Sequence, residues 1–185
     1  MSVTYDPDVS LPSPPDLPAN PCSRIPLGEI DSQILVQAVA YWRRLAAGRK
    51  FPARSDVTPR GLRNLLRYTT LIRVVDGGKD YEYRIVGDAY VMAHGVSFQG
   101  RLWSEIEQQS PRFHRMIKPV YDFVVKTGEP AATRGWIERG AGANEHIYSE
   151  YVYLPLGRDQ SAVDYILIFA VYIPRDTLDR SSTLA

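Results

Sequence analysis

Between Asp31 and Ala47 apolar residues recur three and four positions apart, at Ile34, Ala38, Tyr41, Trp42 and Leu45, while Gln37, Arg43 and Arg44 fall elsewhere on the helical wheel. The spacing predicts an amphipathic helix, with Asp31 placed to cap its start and Gly48 to end it. A shorter helix is expected from Thr58 to about Leu66, because Thr58 is a side-chain cap and Pro59 sits where no amide donor is needed.

From Tyr68 to Val86 the period changes to two, on either side of Gly77-Gly78, which reads as a β-hairpin. A two-residue turn sets Arg73 opposite Glu82. That register puts Arg73, Asp80, Glu82 and Arg84 on one face and Thr70, Ile72, Val74, Tyr81, Tyr83 and Ile85 on the other. A short helix, Ala89 to His94, is expected next, with Asp88 before it and Gly95 after it. Ser110 and Pro111 open a longer one, striped by Phe113, Ile117, Val120, Tyr121 and Val124 and closed by Gly128. Three strands follow at about 131–139, 146–156 and 164–173. The last is apolar on both faces, as Ile166, Ile168 and Ala170 alternate with Leu167, Phe169 and Val171, so it belongs in the middle of a sheet.

Composition adds boundaries. The 185 residues fit one domain, and 44% apolar content suffices for a core. Half of the 14 prolines fall in residues 1–27, which predicts a disordered or extended arm, followed by a folded body over 28–174 and a tail over 175–185. Charge is balanced, 22 Lys and Arg against 21 Asp and Glu, which argues against nucleic acid as a partner. A single cysteine, Cys22, rules out an internal disulfide and a cysteine-based metal site, and it suits a reducing cytoplasm. The sequence has neither a signal-peptide pattern nor an apolar run long enough to cross a bilayer, so a cytoplasmic location without membrane insertion is expected.

The order helix, two strands, short helices, long helix, three strands resembles the PAS fold. The wording is closer still to small stand-alone bacterial PAS proteins: Tyr41-Trp42, Leu45, Gly48-Arg49, Pro52, Arg54-Ser55-Asp56 and Pro59, then Tyr83-Arg84-Ile85-Val86-Gly87, Gly95 and Gly100-Arg101. The resemblance implies an α+β fold, a five-stranded antiparallel sheet in spatial order 2-1-5-4-3 with a helical crossover and an N-terminal amphipathic helix. It also implies a sensory or regulatory module that binds a small molecule, docks onto a partner protein, or does both, without an output domain of its own.

The candidate chemistry is sparse. Flavin photoadducts in PAS sensors need a cysteine in the helical region, where this chain has none, so photoadduct chemistry is excluded, while flavin binding without an adduct stays open. Haem-binding PAS domains use a histidine on the long crossover helix; His114 lies there, but beside Arg115 and Lys118 and off the apolar stripe. His94, His114 and His146 are too dispersed for a metal site. No catalytic set is found. The alternative reading, a small isomerase- or hydrolase-like enzyme with a cone-shaped α+β fold, needs a carboxylate or histidine in an apolar cavity, whereas the inner face offers Tyr81, Tyr83, Tyr151 and Tyr153. A ligand pocket, if one exists, is expected to be walled by Tyr83, Met92, Phe98, Trp103, Ile117, Tyr121 and Phe169. The first helix is expected to build a homodimer through Ile34, Ala38, Tyr41, Trp42 and Leu45, because its apolar arc exceeds what one lid needs. An unidentified signalling protein completes the expected partners.

Overall fold

The first helix, α1 (Gln33–Ala46), lies across a six-stranded antiparallel sheet because the sheet has two apolar faces to cover. In the computed structural model, residues 22–107, 111–138 and 146–173 are described; the side chains of residues 112, 114, 138 and 146 fall outside that set. Residues 1–21 and the tail from 174, to which the arm and tail expectations apply, are also outside it.

The strands are β1 (Ser23–Ile25), β2 (Thr69–Val75), β3 (Asp80–Val86), β4 (Ala131–Glu138), β5 (His146–Leu156) and β6 (Tyr165–Ile173). Their spatial order is β1-β4-β5-β6-β2-β3. The five expected strands take the expected order, with the doubly apolar β6 between β5 and β2. A sixth strand was not foreseen. β1 falls inside the segment read as arm, yet Ser23, Arg24 and Ile25 pair with Arg134, Thr133 and Ala132.

Arg73 does stand opposite Glu82, but a bulge between Leu71 and Ile72 pairs Leu71 with Ile85 and Ile72 with Tyr83. The extra residue, Arg84, reverses the facing of everything beyond it, so Ile85 leaves the inner face to which simple alternation assigns it. The helix after Thr58 is also shorter than expected. Thr58 caps α2 (Pro59–Leu62) by accepting from Gly61 N–H at 3.1 Å, but Arg63 adopts φ +43° and breaks the run into a 3₁₀ turn, Arg63–Tyr68.

Alternation around the β5/β6 register divides the sheet into two faces. Val152, Leu154, Leu167 and Phe169 point toward α1, while Tyr151, Tyr153, Ile166 and Ile168 point toward α3 (Asp88–His94), α4 (Trp103–Ile106) and α5 (Pro111–Thr127). On the α1 side Leu35 and Ala38 are fully buried, and the Trp42 indole N–H donates to Pro155 O at 2.8 Å. Of the residues proposed for a dimer, Ala38, Tyr41 and Trp42 are therefore buried within the chain, and Ile34 and Leu45 are half-buried. The surplus apolar surface on which the homodimer expectation rests is largely covered within the chain, by the sheet and by the α2 turn.

The start of α1 is set by β5. Ser32, not Asp31, is the N-cap residue, and its side chain makes no capping bond. Instead the Glu150 carboxylate accepts from Asp31 N–H at 3.0 Å and Ser32 N–H at 2.9 Å, and also from Arg134 Nη2 at 2.7 Å.

At the far edge, Glu82 accepts from Arg84 Nη1 at 2.7 Å and Arg73 Nε at 2.6 Å. The Arg84 bond first, and Arg73 after it, hold the Glu82 carboxyl below its ordinary range. A depressed carboxyl stabilises the fold above its unfolded pKa, near 4.3, and loses that contribution as pH falls through its folded value. Both arginines are about half exposed, which limits the effect to about 1 kcal/mol. Glu82→Gln is expected to be less stable than the parent at neutral pH, the two converging below about pH 4; urea midpoints across that range would show it, and parallel curves would refute it.

Candidate functional site

The inner face of the sheet and the crossover helices enclose a cluster of aromatic rings. β3 contributes Tyr81 and Tyr83, both fully buried, because alternation turns them inward while Glu82 points out. α3 adds Tyr90 and His94, one helical turn apart and stacked at 4.2 Å. Trp103, from α4, lies 5.1 Å from Tyr121 of α5 and parallel to Tyr83 at 6.3 Å. Phe98 approaches Tyr83 edge-on at 5.9 Å. From β5 come Tyr151 and Tyr153, which stack at 5.8 Å. Such offset and edge-to-face contacts fill space efficiently and add stability beyond burial alone.

Five of the seven predicted pocket residues, Tyr83, Phe98, Trp103, Ile117 and Tyr121, are buried in this inner layer. Two are elsewhere. Met92 is 68% exposed on α3, whose buried side carries Ala89, Tyr90 and Ala93. Phe169 is buried on the opposite face of the sheet, paired with Val152 beneath α1. Tyr90, Phe113, Tyr151 and Tyr153, absent from the predicted walls, line the central void together with Thr70, Ile117, Tyr121 and Ile168. The alternation of Tyr151 and Tyr153 in β5 was the available signal for half of that omission.

That void measures about 10 Å³. It has room for about one water molecule. Burial pushes the phenols of Tyr83, Tyr151 and Tyr153 well above their ordinary range, so they are neutral donors and acceptors at physiological pH. Thr133 Oγ1 and Tyr153 OH lie 3.1 Å apart, and Tyr151 OH donates to Tyr172 OH at 3.3 Å. Among the described residues, no carboxylate or histidine lines the void and no three His, Cys, Asp or Glu side chains gather as a metal set. The side chains of His114 and His146 lie outside the described set; His94 is buried in the aromatic layer.

A larger space, about 360 Å³, opens between β1 and α5. Cys22, Arg24 and Thr133 form one wall and Met116, Val120 and Phe123 the other, with the Arg24 guanidinium 3.6 Å above the Phe123 ring.

With the sheet order and crossover in place, the family match decides the assignment: the model described as "PAS domain" covers residues 30–169. The chain belongs to the PAS domain family. PAS domains are generally sensory and commonly mediate protein interactions. β1 and the Cys22–Arg24 wall of the cleft lie outside the matched residues. No curated protein matches the chain. Among solved structures, an RNA-binding light-oxygen-voltage receptor is similar over 72% of this chain and 40% of its own length, at 13% identity and a TM-score of 0.45. The PAS domain of Bordetella pertussis BvgS is similar over 67% of this chain and 93% of its own, at 14% identity and a TM-score of 0.40. This PAS chain thus spans less than half of the first of those proteins, and likeness at such scores adds nothing to the assignment. Among the described residues no helix is long and apolar enough to cross a membrane.

Proposed function

We propose that this PAS domain is a regulatory module that works by docking onto a partner protein rather than by turnover. The observation that carries the reading is the packing of the inner layer: among the described residues, tyrosine, tryptophan and phenylalanine rings fill the space beneath the crossover helices and leave a central void of about 10 Å³. Tyrosines kept protonated by burial can neither take up a substrate proton at neutral pH nor act as anionic nucleophiles. The partner is a different protein, since α1 spends most of its apolar stripe on its own sheet. A cytoplasmic setting fits the single free cysteine.

The decisive experiment joins capture to reconstitution. Proteins crosslinked to the tagged chain in its native cell are purified singly and titrated against it. A saturable complex at or below roughly tens of micromolar is expected; no such complex with any candidate would overturn the docking reading.

One observation favours a second reading, in which a small molecule is sensed outside the core. The β1–α5 cleft, at about 360 Å³, falls within the size range of small-molecule sites and pairs apolar walls with a few polar groups. A ligand there would shield Cys22 from alkylation.

A further inference from the structure

Between Arg43 and Tyr68 the chain carries eight basic residues, seven of them arginine, against one acid, Asp56. The remainder holds 14 basic and 20 acidic residues, so a molecule of formal charge +1 is strongly polarised. Whole-chain balance hides this segment.

Among the described residues, the structure leaves most of that charge without a carboxylate partner. Seven of the eight are exposed and Arg54 is half-buried. Asp56 is taken by Arg49 at 2.7 Å. Arg54 donates to Val57 O at 3.0 Å and Lys50 to Thr127 O at 2.9 Å. Among the described residues Arg43, Arg44, Arg60, Arg63 and Arg67 have no carboxylate partner. Between α1 and the α2 turn lies a groove of about 320 Å³, lined by Gln37, Ala40, Arg44, Arg63, Asn64 and Leu65. Val36 and Leu66 are the large apolar residues exposed in these elements, each at 42%.

We infer that this basic groove receives an acidic, partly apolar segment of the docking partner, an inference that rests on the docking reading above. Arginine forks match carboxylates in pairs, and Ala40, Leu62 and Leu65 line the groove with aliphatic surface, next in sequence to the exposed Leu66. The plain alternative is a solvated charged face, with Arg43 and Arg44 merely complementing the C-terminal end of α1. Arg63 does not fit that alternative. It sits at φ +43° and ψ −114°, a strained conformation for any residue with a Cβ, and its side chain is exposed. Stability alone would favour glycine there.

Other polyanions fit less well. Single-stranded nucleic acid needs exposed aromatic platforms, and the one aromatic ring lining this groove, Tyr41, is only 5% exposed and already lies under the Arg44 guanidinium at 5.5 Å. A membrane surface needs a free amphipathic face, and that of α1 is turned to the sheet.

The test uses the full chain and three probes: a fluorescein-labelled peptide of alternating Glu and Leu, a single-stranded oligonucleotide of equal formal charge, and phosphatidylcholine vesicles containing phosphatidylserine. The peptide is expected to bind tightest. Arg44→Gln combined with Arg63→Gly should weaken it about tenfold, while the thermal midpoint holds or rises because glycine relieves the strain at position 63. Lys79→Gln, an exposed charge in the β2–β3 turn, should leave binding unchanged. Preference for the oligonucleotide or vesicles, undiminished binding by the double variant, or equal loss in Lys79→Gln would overturn the inference. A reconstituted partner that binds the double variant as tightly as the parent would defeat the basic groove and leave docking intact, whereas the lack of any partner would defeat docking itself.

Discussion

Replacing Glu150 by alanine is expected to lower the unfolding free energy by about 3–5 kcal/mol. The carboxylate is buried on the outer face of β5, which it ties to two other elements, through the backbone amides of Asp31 and Ser32 ahead of α1 and through the Arg134 guanidinium on β4. Arg134 also bonds Glu29 O and pairs with Asp31 at 3.0 Å. Truncation would leave a largely buried guanidinium short of its main counter-charge and two amide donors without an acceptor. Glu150→Gln keeps two acceptor positions on one oxygen but loses the charge, so about half of that loss is expected. Chemical denaturation would measure both, and a loss under about 1 kcal/mol for Glu150→Ala would mean that α1 is anchored by something else.

Trp42→Ala is expected to cost a similar amount, about 3–5 kcal/mol. The ring is buried between α1 and the sheet, and its N–H supplies the bond to Pro155 O that sets the helix over β5. Removal opens a cavity too large for Ala38 and Leu35 to fill, and it strands a buried carbonyl. Trp42→Phe should recover most of the packing but not the bond. Near-ultraviolet circular dichroism and urea melts would separate the two contributions; a loss as small for alanine as for phenylalanine would show that α1 is a loose lid.

Much of this architecture is legible in the residue pattern, and the failures have physical causes. The central place of β6 follows from its two apolar faces, but that same pattern hides which parity faces which helix. Phe169 was therefore assigned to the wrong side, whereas Ile168 lines the void. Met92 was misassigned although the wheel of α3 could have corrected it, because Ala89, Tyr90 and Ala93 share one side. β1 is three residues long and sits between Pro21 and Pro26, so local composition reads as extended arm; only its pairing with Thr133 and its neighbours reveals it. The bulge at Arg84 has no glycine or other local signal. Glu150 stands among tyrosines in β5, an odd place for a carboxylate, and its reason appears only when the register brings Arg134 opposite.

The basic segment shows the same limit in charge. A net charge near +1 argues against nucleic acid and says nothing of where charge gathers, yet eight basic residues fall within one short stretch. Local sign and exposure, rather than the sum, decide what such a surface attracts.

The central claim is that this PAS core is closed and signals by contact. Mass spectrometry of the protein, purified gently from its native cell and then denatured, tests it most directly. The prediction is the polypeptide alone, with no organic molecule released in stoichiometric amount; a stoichiometric small molecule that leaves Cys22 open to alkylation in the native protein, and so does not sit in the β1–α5 cleft, would contradict it.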